Sequence, residues 1–354
     1  MSIARRASLF VKDLGGLGIY YPGQAAVARM PRRALLKAAQ AGGDAVRLAS
    51  QAEAAKALEE LHRLVGPNEL PRDDAGILRD AYRQMMFNEL EVLRYTELTP
   101  QTIDKVCTIE GEEHIHAALE KGKGAIVLIG HFGANQMIMP ALGHKGYPMS
   151  QLSAPPPVWA DILRDTRTTR LWELVLARRW ELEQRLPVQH INVFKFLRPA
   201  FECLQNNELL GLAFDGGGGK RWTQVQFLDR RCNLSVQPIQ LARKTGAAIL
   251  PTLVIREPGS LKHRIVITPA LEYVKRKNRA DEMQANMQAF VDVFAQWVLR
   301  YPEHYLNFLL LRWKVRGTDV APFFEDYPPA EDQMSAEEAQ AHLMGSWDKT
   351  VEKV

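Results

Sequence analysis

A histidine set between glycines, Gly130-His131-Phe132-Gly133-Ala134-Asn135-Gln136, directly follows an apolar run that starts at Gly124. Ala125–Ile129 is short, continuous and rich in branched residues, which predicts a buried strand. The segment Gln136–Leu142 that follows is helix-capable. The imidazole is therefore expected at the carboxyl end of a strand, where open α/β sheets gather their chemistry. Imidazole titrates near neutral pH, so general acid–base work is the chemistry this position offers.

A second stretch of interest is Asp215-Gly216-Gly217-Gly218-Gly219-Lys220-Arg221, after the apolar run Leu209–Phe214. It is not a phosphate-binding P-loop: Phe214 stands where the first glycine belongs, and Arg221 where a Ser or Thr belongs. What remains is an acid at a strand end followed by a glycine run. Such a run admits a ligand close to backbone, moves as a lid, or forms a plain surface turn. A third stretch, Trp159–Leu186, reads as a long charged helix. Its arginines serve either a solvated face laced with i,i+4 pairs or, at Arg164 and Arg167, recognition of phosphate by planar guanidinium forks. His114 and His116 are two residues apart and do not share a helix face, so no metal site is expected.

The elements that must position these residues alternate from about residue 100 onward. A helix is expected over Glu112–Lys121, and strands over Pro148–Leu152, His190–Phe194, Leu209–Phe214, Gln224–Leu228, Ala248–Ile255 and Arg264–Thr268. Helices are expected over Pro199–Gln205, Pro238–Thr245 and Ala280–Arg300. Residues 31–65 and 75–98 read as helical, with a break expected at Gly42-Gly43. The fold class is α/β, a mixed and mainly parallel sheet flanked by helices. It divides into an N-terminal helical segment (1–100) packed on an α/β domain (101–320), and a polar, loosely held tail (321–354).

Composition bounds the rest. Hydrophobic residues make up 46% and charged residues 24%, the balance of a folded chain. The three cysteines, Cys107, Cys203 and Cys232, are widely spaced, which fits reduced thiols in a cytoplasmic setting. No stretch reaches the roughly 18 apolar residues of a membrane span, and residues 1–30 carry no secretory pattern. A net charge of +4 admits an anionic lipid surface or an acidic carrier protein as partner and does not point to nucleic acid.

Several of these stretches, in this order, resemble the lipid A biosynthesis (lauroyl/myristoyl) acyltransferase family, part of the lysophospholipid acyltransferase-like group. The resemblance runs from Gly111-Glu112 through Gly124-Ala-Ile-Val-Leu to His131-Phe-Gly-Ala-Asn135-Gln136, where the family has His-Phe-Gly-Asn-Trp-Glu. It continues through Leu241-Ala-Arg-Lys-Thr245-Gly-Ala-Ala-Ile-Leu-Pro251 and ends in Tyr301-Pro-Glu-His-Tyr-Leu to Arg312-Trp313-Lys314. The resemblance implies a glycerolipid acyltransferase-like fold. It also implies transfer of a fatty acyl group from an acyl carrier protein or coenzyme A thioester to a lipid hydroxyl, with His131 as general base. A thioester is already activated, so a base and donors for the developing oxyanion suffice. Backbone N–H groups around Gly133–Asn135 are the expected donors, and Arg164, Arg167 and Lys220 the expected phosphate contacts. No bound cofactor is implied.

The chain departs from the family pattern at two places. Gln136 stands where the family has its acid, and the stretch Leu152-Ser-Ala-Pro-Pro lacks the family's arginine. An amide accepts a hydrogen bond from imidazole but brings no charge, so the orienting group is either Gln136 or a displaced acid, for which Asp215 is the candidate. Three functions follow. The first is an acyltransferase acting on a lipid or small-molecule hydroxyl or amine, peripheral on the cytoplasmic membrane face. The second is a non-catalytic carrier- or lipid-binding relative. The third is a thioesterase.

Overall fold

The apolar run after Gly124 becomes the strand around which the sheet is built. In the computed structural model, which describes residues 3–155, 170–193, 197–217, 221–331, 333–339 and 341, Ala125–Ile129 forms β2, with every residue buried. Such a strand needs cover on both faces, and parallel neighbours joined by helical crossovers supply it. Seven strands form one sheet in the order β1-β9-β8-β2-β5-β3-β4. They are β1 (Cys107–Glu110), β2, β3 (Met149–Ser153), β4 (Gln189–Asn192), β5 (Leu209–Ala213), β8 (Ala248–Ile255) and β9 (His263–Ile267). All adjacent pairs are parallel except β8 with β9, so the sheet is mixed and mainly parallel, as expected. An antiparallel hairpin, β6 (Trp222–Phe227) with β7 (Arg230–Ser235), stands apart from it.

The two faces of β2 separate two cores. Ile126 and Leu128 point to one, with α9 (Arg198–Gln205), α10 (Gln237–Thr245), α11 (Arg279–Arg300) and α12 (Leu306–Val315). Ala125, Val127 and Ile129 point to the other, with α6 (Glu112–Leu119), α7 (Ile138–His144) and α8 (Arg170–Glu183). This alternation is what a strand's two-residue period requires. The three cysteines are buried free thiols within these layers.

The N-terminal part is helical: α1 (Ile3–Tyr20), α2 (Pro22–Arg29), α3 (Arg32–Ala49), α4 (Gln51–Val65) and α5 (Asp74–Val92). Asp73 caps α5 by accepting from the Gly76 N–H at 3.1 Å. The expected break at Gly42-Gly43 does not occur, since α3 runs straight through both glycines. Their role is close packing on α5: a Cβ at Gly43 would lie 2.7 Å from the Arg83 Cα.

Other elements escaped the sequence reading. β1 is a four-residue edge strand, and β7 carries Arg230 and Arg231, which mask its apolar Cys232 and Leu234. The expected loose tail is also corrected over its first part. Phe323 and Phe324 are buried, and the chain around them adds to β7 through Asn233 N–H to the Phe323 carbonyl at 2.9 Å. Buried Arg230 lies 3.7 Å over the Phe324 ring and pairs with Glu60 of α4 at 2.7 Å.

A buried ionic cluster ties the helical segment to the sheet. Glu91 of α5 bonds His263 of β9 and accepts from Arg32 of α3 at 2.8 Å, while Arg32 also donates to the Leu261 carbonyl. Burial works to raise the Glu91 carboxyl, but His263 and Arg32 outweigh it and hold it below its ordinary 4.5. Removing one partner of such a cluster leaves charge buried without compensation. Glu91→Gln is expected to cost about 3–5 kcal/mol at neutral pH, read by urea denaturation. A depressed carboxyl stabilises above its unfolded value, so the gap between variant and wild type should be full above pH 4.5 and narrow as the pH falls below it.

Candidate active site

The loop that carries His131 has little freedom. At Gly130 a Cβ would lie 2.5 Å from the Phe294 ring, so only glycine lets the chain leave β2 here. At Gly133 the backbone adopts φ of +60°, and a Cβ would sit 2.1 Å from the Val254 carbonyl oxygen of β8. The Gly133 N–H donates to the His304 carbonyl at 2.9 Å, and Asn88 of α5 donates to the Gly133 carbonyl at 3.1 Å. A 3-10 turn, Asn135–Met137, then leads into α7.

The strand register places an acid beside this histidine. Ile129 of β2 pairs with Ala213 of β5, so His131 and Asp215 emerge level with each other. The Asp215 side chain is fully buried, and its Oδ1 lies 2.6 Å from His131 Nδ1. The backbone N–H of His131 donates to Oδ2 at 2.9 Å, and the Tyr305 hydroxyl donates to the same oxygen at 3.2 Å. These donors satisfy a carboxylate that would be costly to bury alone. Burial, with the carboxylate beside it, pushes the Tyr305 phenol well above its ordinary range, which keeps it a donor.

A carboxylate only accepts, so the proton of the neutral imidazole is assigned to Nδ1 and the lone pair to Nε2. The ring stacks on Phe308 of α12, with centroids 4.6 Å apart and planes 1° apart, and remains one-third exposed. One edge of the ring is thus anchored and the other opens outward.

It opens onto a cleft of about 200 Å³ whose lining includes Asn88, Asn135, Gln136, Arg179, Asn307 and Phe308. Gln136 does not bond His131. Its Oε1 accepts from Arg179 Nη2 of α8 at 3.0 Å, and Arg179 is in turn paired with Glu89 and Glu183. The contact to the imidazole that the sequence left open between Gln136 and a displaced acid is made by Asp215. Gly133 lines the cleft but its N–H is committed to His304, so it is not an oxyanion donor. Asn135 lines the cleft with its side chain half-buried. Arg164, Arg167 and Lys220 lie outside the described residues.

Tyr305, Phe308, Asn88 and Arg179 were not singled out from sequence. Tyr305 and Phe308 fall within the stretch that carries the C-terminal resemblance. Asn88 sits among apolar residues of a helical stripe and offers no local signal.

An imidazole–carboxylate pair thus stands at the carboxyl edge of a mainly parallel sheet, open to a polar cleft, an arrangement capable of acid–base chemistry. The family model for bacterial lipid A biosynthesis acyltransferases matches residues 15–315, and the chain belongs to that family. Phosphatidylinositol mannoside acyltransferases from two strains of Mycobacterium tuberculosis are 27% identical over 221 residues, covering 60% of this chain and 61% of theirs. The match thus spans about three-fifths of the length of these curated relatives. Among solved structures, the 1-acyl-sn-glycerophosphate acyltransferase PlsC of Thermotoga maritima is 14% identical, with a TM-score of 0.31 over 76% of this chain and 96% of that one.

Gly133→Ala is expected to destabilise the protein by about 1–3 kcal/mol from backbone conformation alone, with the collision at Val254 adding to it. The measurement is a denaturant titration with near-ultraviolet dichroism. A midpoint equal to wild type would contradict the constraint described for this loop.

Proposed function

We propose that this chain moves a fatty acyl group from an acyl-carrier-protein or coenzyme A thioester to a hydroxyl (or amine) of a lipid-type acceptor. His131 acts as general base and Asp215 holds and charges it. The observation that carries this reading is the 2.6 Å contact between His131 Nδ1 and Asp215, with the other ring edge open to the cleft. In the reaction, the acceptor oxygen attacks the thioester carbonyl as its proton passes to His131 Nε2. The C–O bond forms, the C–S bond breaks, and the proton goes on to the leaving thiolate. Asp215 stabilises the imidazolium formed between these steps. The binding-only alternative drew its force from Gln136 replacing an acid, and Asp215 removes the need for an acid at that position.

The amide-rich cleft favours a hydroxyl-bearing head group as acceptor, and the mycobacterial relatives make a glycolipid the first one to try. Arg164, Arg167 and Lys220 are proposed to meet donor or acceptor phosphate. Approach to a membrane surface is supported by the exposed apolar side chains Phe10, Leu14, Ile19 and Tyr21, with Leu174 of α8. Among the described residues no helix is long and apolar enough to cross a membrane.

The test is mass spectrometry of purified protein incubated with a panel of acyl-carrier and acyl-coenzyme A thioesters plus a polar-lipid extract. A new ester or amide is expected that disappears in His131→Ala. Asp215→Asn is expected to lower turnover by about 10²–10⁴. Undiminished product from His131→Ala would sink the proposal.

A further inference from the structure

A thioester acyl transfer develops negative charge on the carbonyl oxygen, and a site that accelerates it holds donors where that charge appears. The backbone around His131 has few left to give. The His131 N–H goes to Asp215, the Phe132 N–H to the Gly130 carbonyl at 2.7 Å, and the Gly133 N–H to the His304 carbonyl at 2.9 Å. The three N–H groups nearest the ring are thus taken, and donors to the oxyanion come from the 3-10 turn that follows and from side chains on the cleft.

We propose that Gln136 is such a donor: its side-chain NH₂ binds the oxyanion of the thioester, a catalytic role opposite to that of the acid it replaces. This inference rests on the acyl-transfer reading of the site. The orientation of the amide is forced. A guanidinium donates only, so the oxygen of Gln136 faces Arg179 and its NH₂ faces away. That NH₂ has no hydrogen-bond partner among the described residues and is not a buried orphan, and the half-buried side chain lines the same cleft as His131. Arg179 is fixed by Glu89 and by Glu183 at 3.2 Å, so the amide is held before substrate arrives. A cation on the amide oxygen also polarises the N–H bonds toward stronger donation. With the carboxylate supplied by Asp215, position 136 has no charge to provide to the imidazole. A carboxylate there would repel the oxyanion.

The discriminating variant is Gln136→Glu, which keeps an acceptor for Arg179 and removes the donor. Turnover is read as free thiol released from decanoyl-coenzyme A with a polar-lipid extract, beside Gln136→Met and His131→Ala. The expected result for both Gln136 variants is a fall in kcat of about 10²–10³ with KM within about threefold. The melting temperature of Gln136→Glu should match wild type. If Gln136 served only to hold Arg179, Gln136→Glu would keep wild-type kcat while Gln136→Met lost it, which would overturn the donor role. A gain of activity in Gln136→Glu would overturn it too.

A second measurement does not depend on turnover. Decanoyl-coenzyme A labelled with ¹³C at the carbonyl is bound to His131→Ala, where a hydrogen bond from Gln136 moves the carbonyl resonance downfield. The shift should vanish in His131→Ala/Gln136→Glu, and a shift that persists, or none in the first place, overturns the donor role. Turnover surviving in His131→Ala would instead overturn the acyl-transfer reading, so the two failures are separable.

Discussion

A buried carboxylate has to be surrounded by donors before anything near it can be arranged, and Asp215 imposes that constraint on the site. Its oxygens take both the ring and the backbone N–H of His131, together with the Tyr305 hydroxyl. Each of those donors needs its own support. The backbone N–H is presented because β2 and β5 pair with Ile129 opposite Ala213. The hydroxyl is presented because Tyr305 is fully buried against Phe294 and Phe308. The loop after Asp215 is pressed from behind by buried Arg312, which a Cβ at Gly217 would meet at 2.7 Å and which Asp319 anchors at 2.6 Å. The sheet register, the start of α12 and the loop after β5 thus converge on one charge.

That convergence explains how the acid of a local motif can be replaced without leaving the histidine unpartnered. A motif acid five residues after the histidine depends on the turn into α7 to bring it back to the ring. Asp215 reaches the ring across adjacent strands, through a register fixed by hydrogen bonds on both sides. Side-chain entropy lost in holding a short, fully buried Asp is small beside that of a longer Glu on a turn. Gln136, released from the imidazole, is taken up by Arg179 and becomes part of the cleft wall.

Much of the sheet was legible because buried parallel strands write themselves as short apolar runs: Ala125–Ile129 and Ala248–Ile255 coincide with the expected bounds, and Leu209–Ala213 differs by one residue. The placement of His131 and Asp215 at strand ends follows from those runs. What lay outside reach depended on contacts between distant residues. β7 reads as charged because Arg230 is buried through Glu60 and Asp326, partners far away in the chain. Gly42-Gly43 reads as a helix break because local propensity outvotes a packing demand set by Arg83. Tyr305 is one tyrosine in an aromatic stretch until Asp215 is known to face it. The hydrogen bond from Asn88 to the Gly133 carbonyl joins residues 45 positions apart, and no pattern in either segment announces it.

The helical N-terminal part is more than cover for the sheet. Asn88 of α5 holds the His131 loop, and Gln84, Glu89 and Glu91 of the same helix line the cleft. Glu91 is at the same time the centre of the cluster that binds α3 and α5 to β9. One helix therefore joins the stability of the helical segment to the shape of the site, and a shift of α5 would move the cleft wall and the histidine loop together. Interiors packed to crystal-like density transmit such shifts and do not absorb them. On the face that α5 presents to the cleft, half-exposed Glu89 pairs with Arg179, while Asn88 is held by the His131 loop and Glu91 by His263 and Arg32. The sheet edge and α12 hold the His131–Asp215 pair, and α5 with α8 walls the cleft onto which the ring opens.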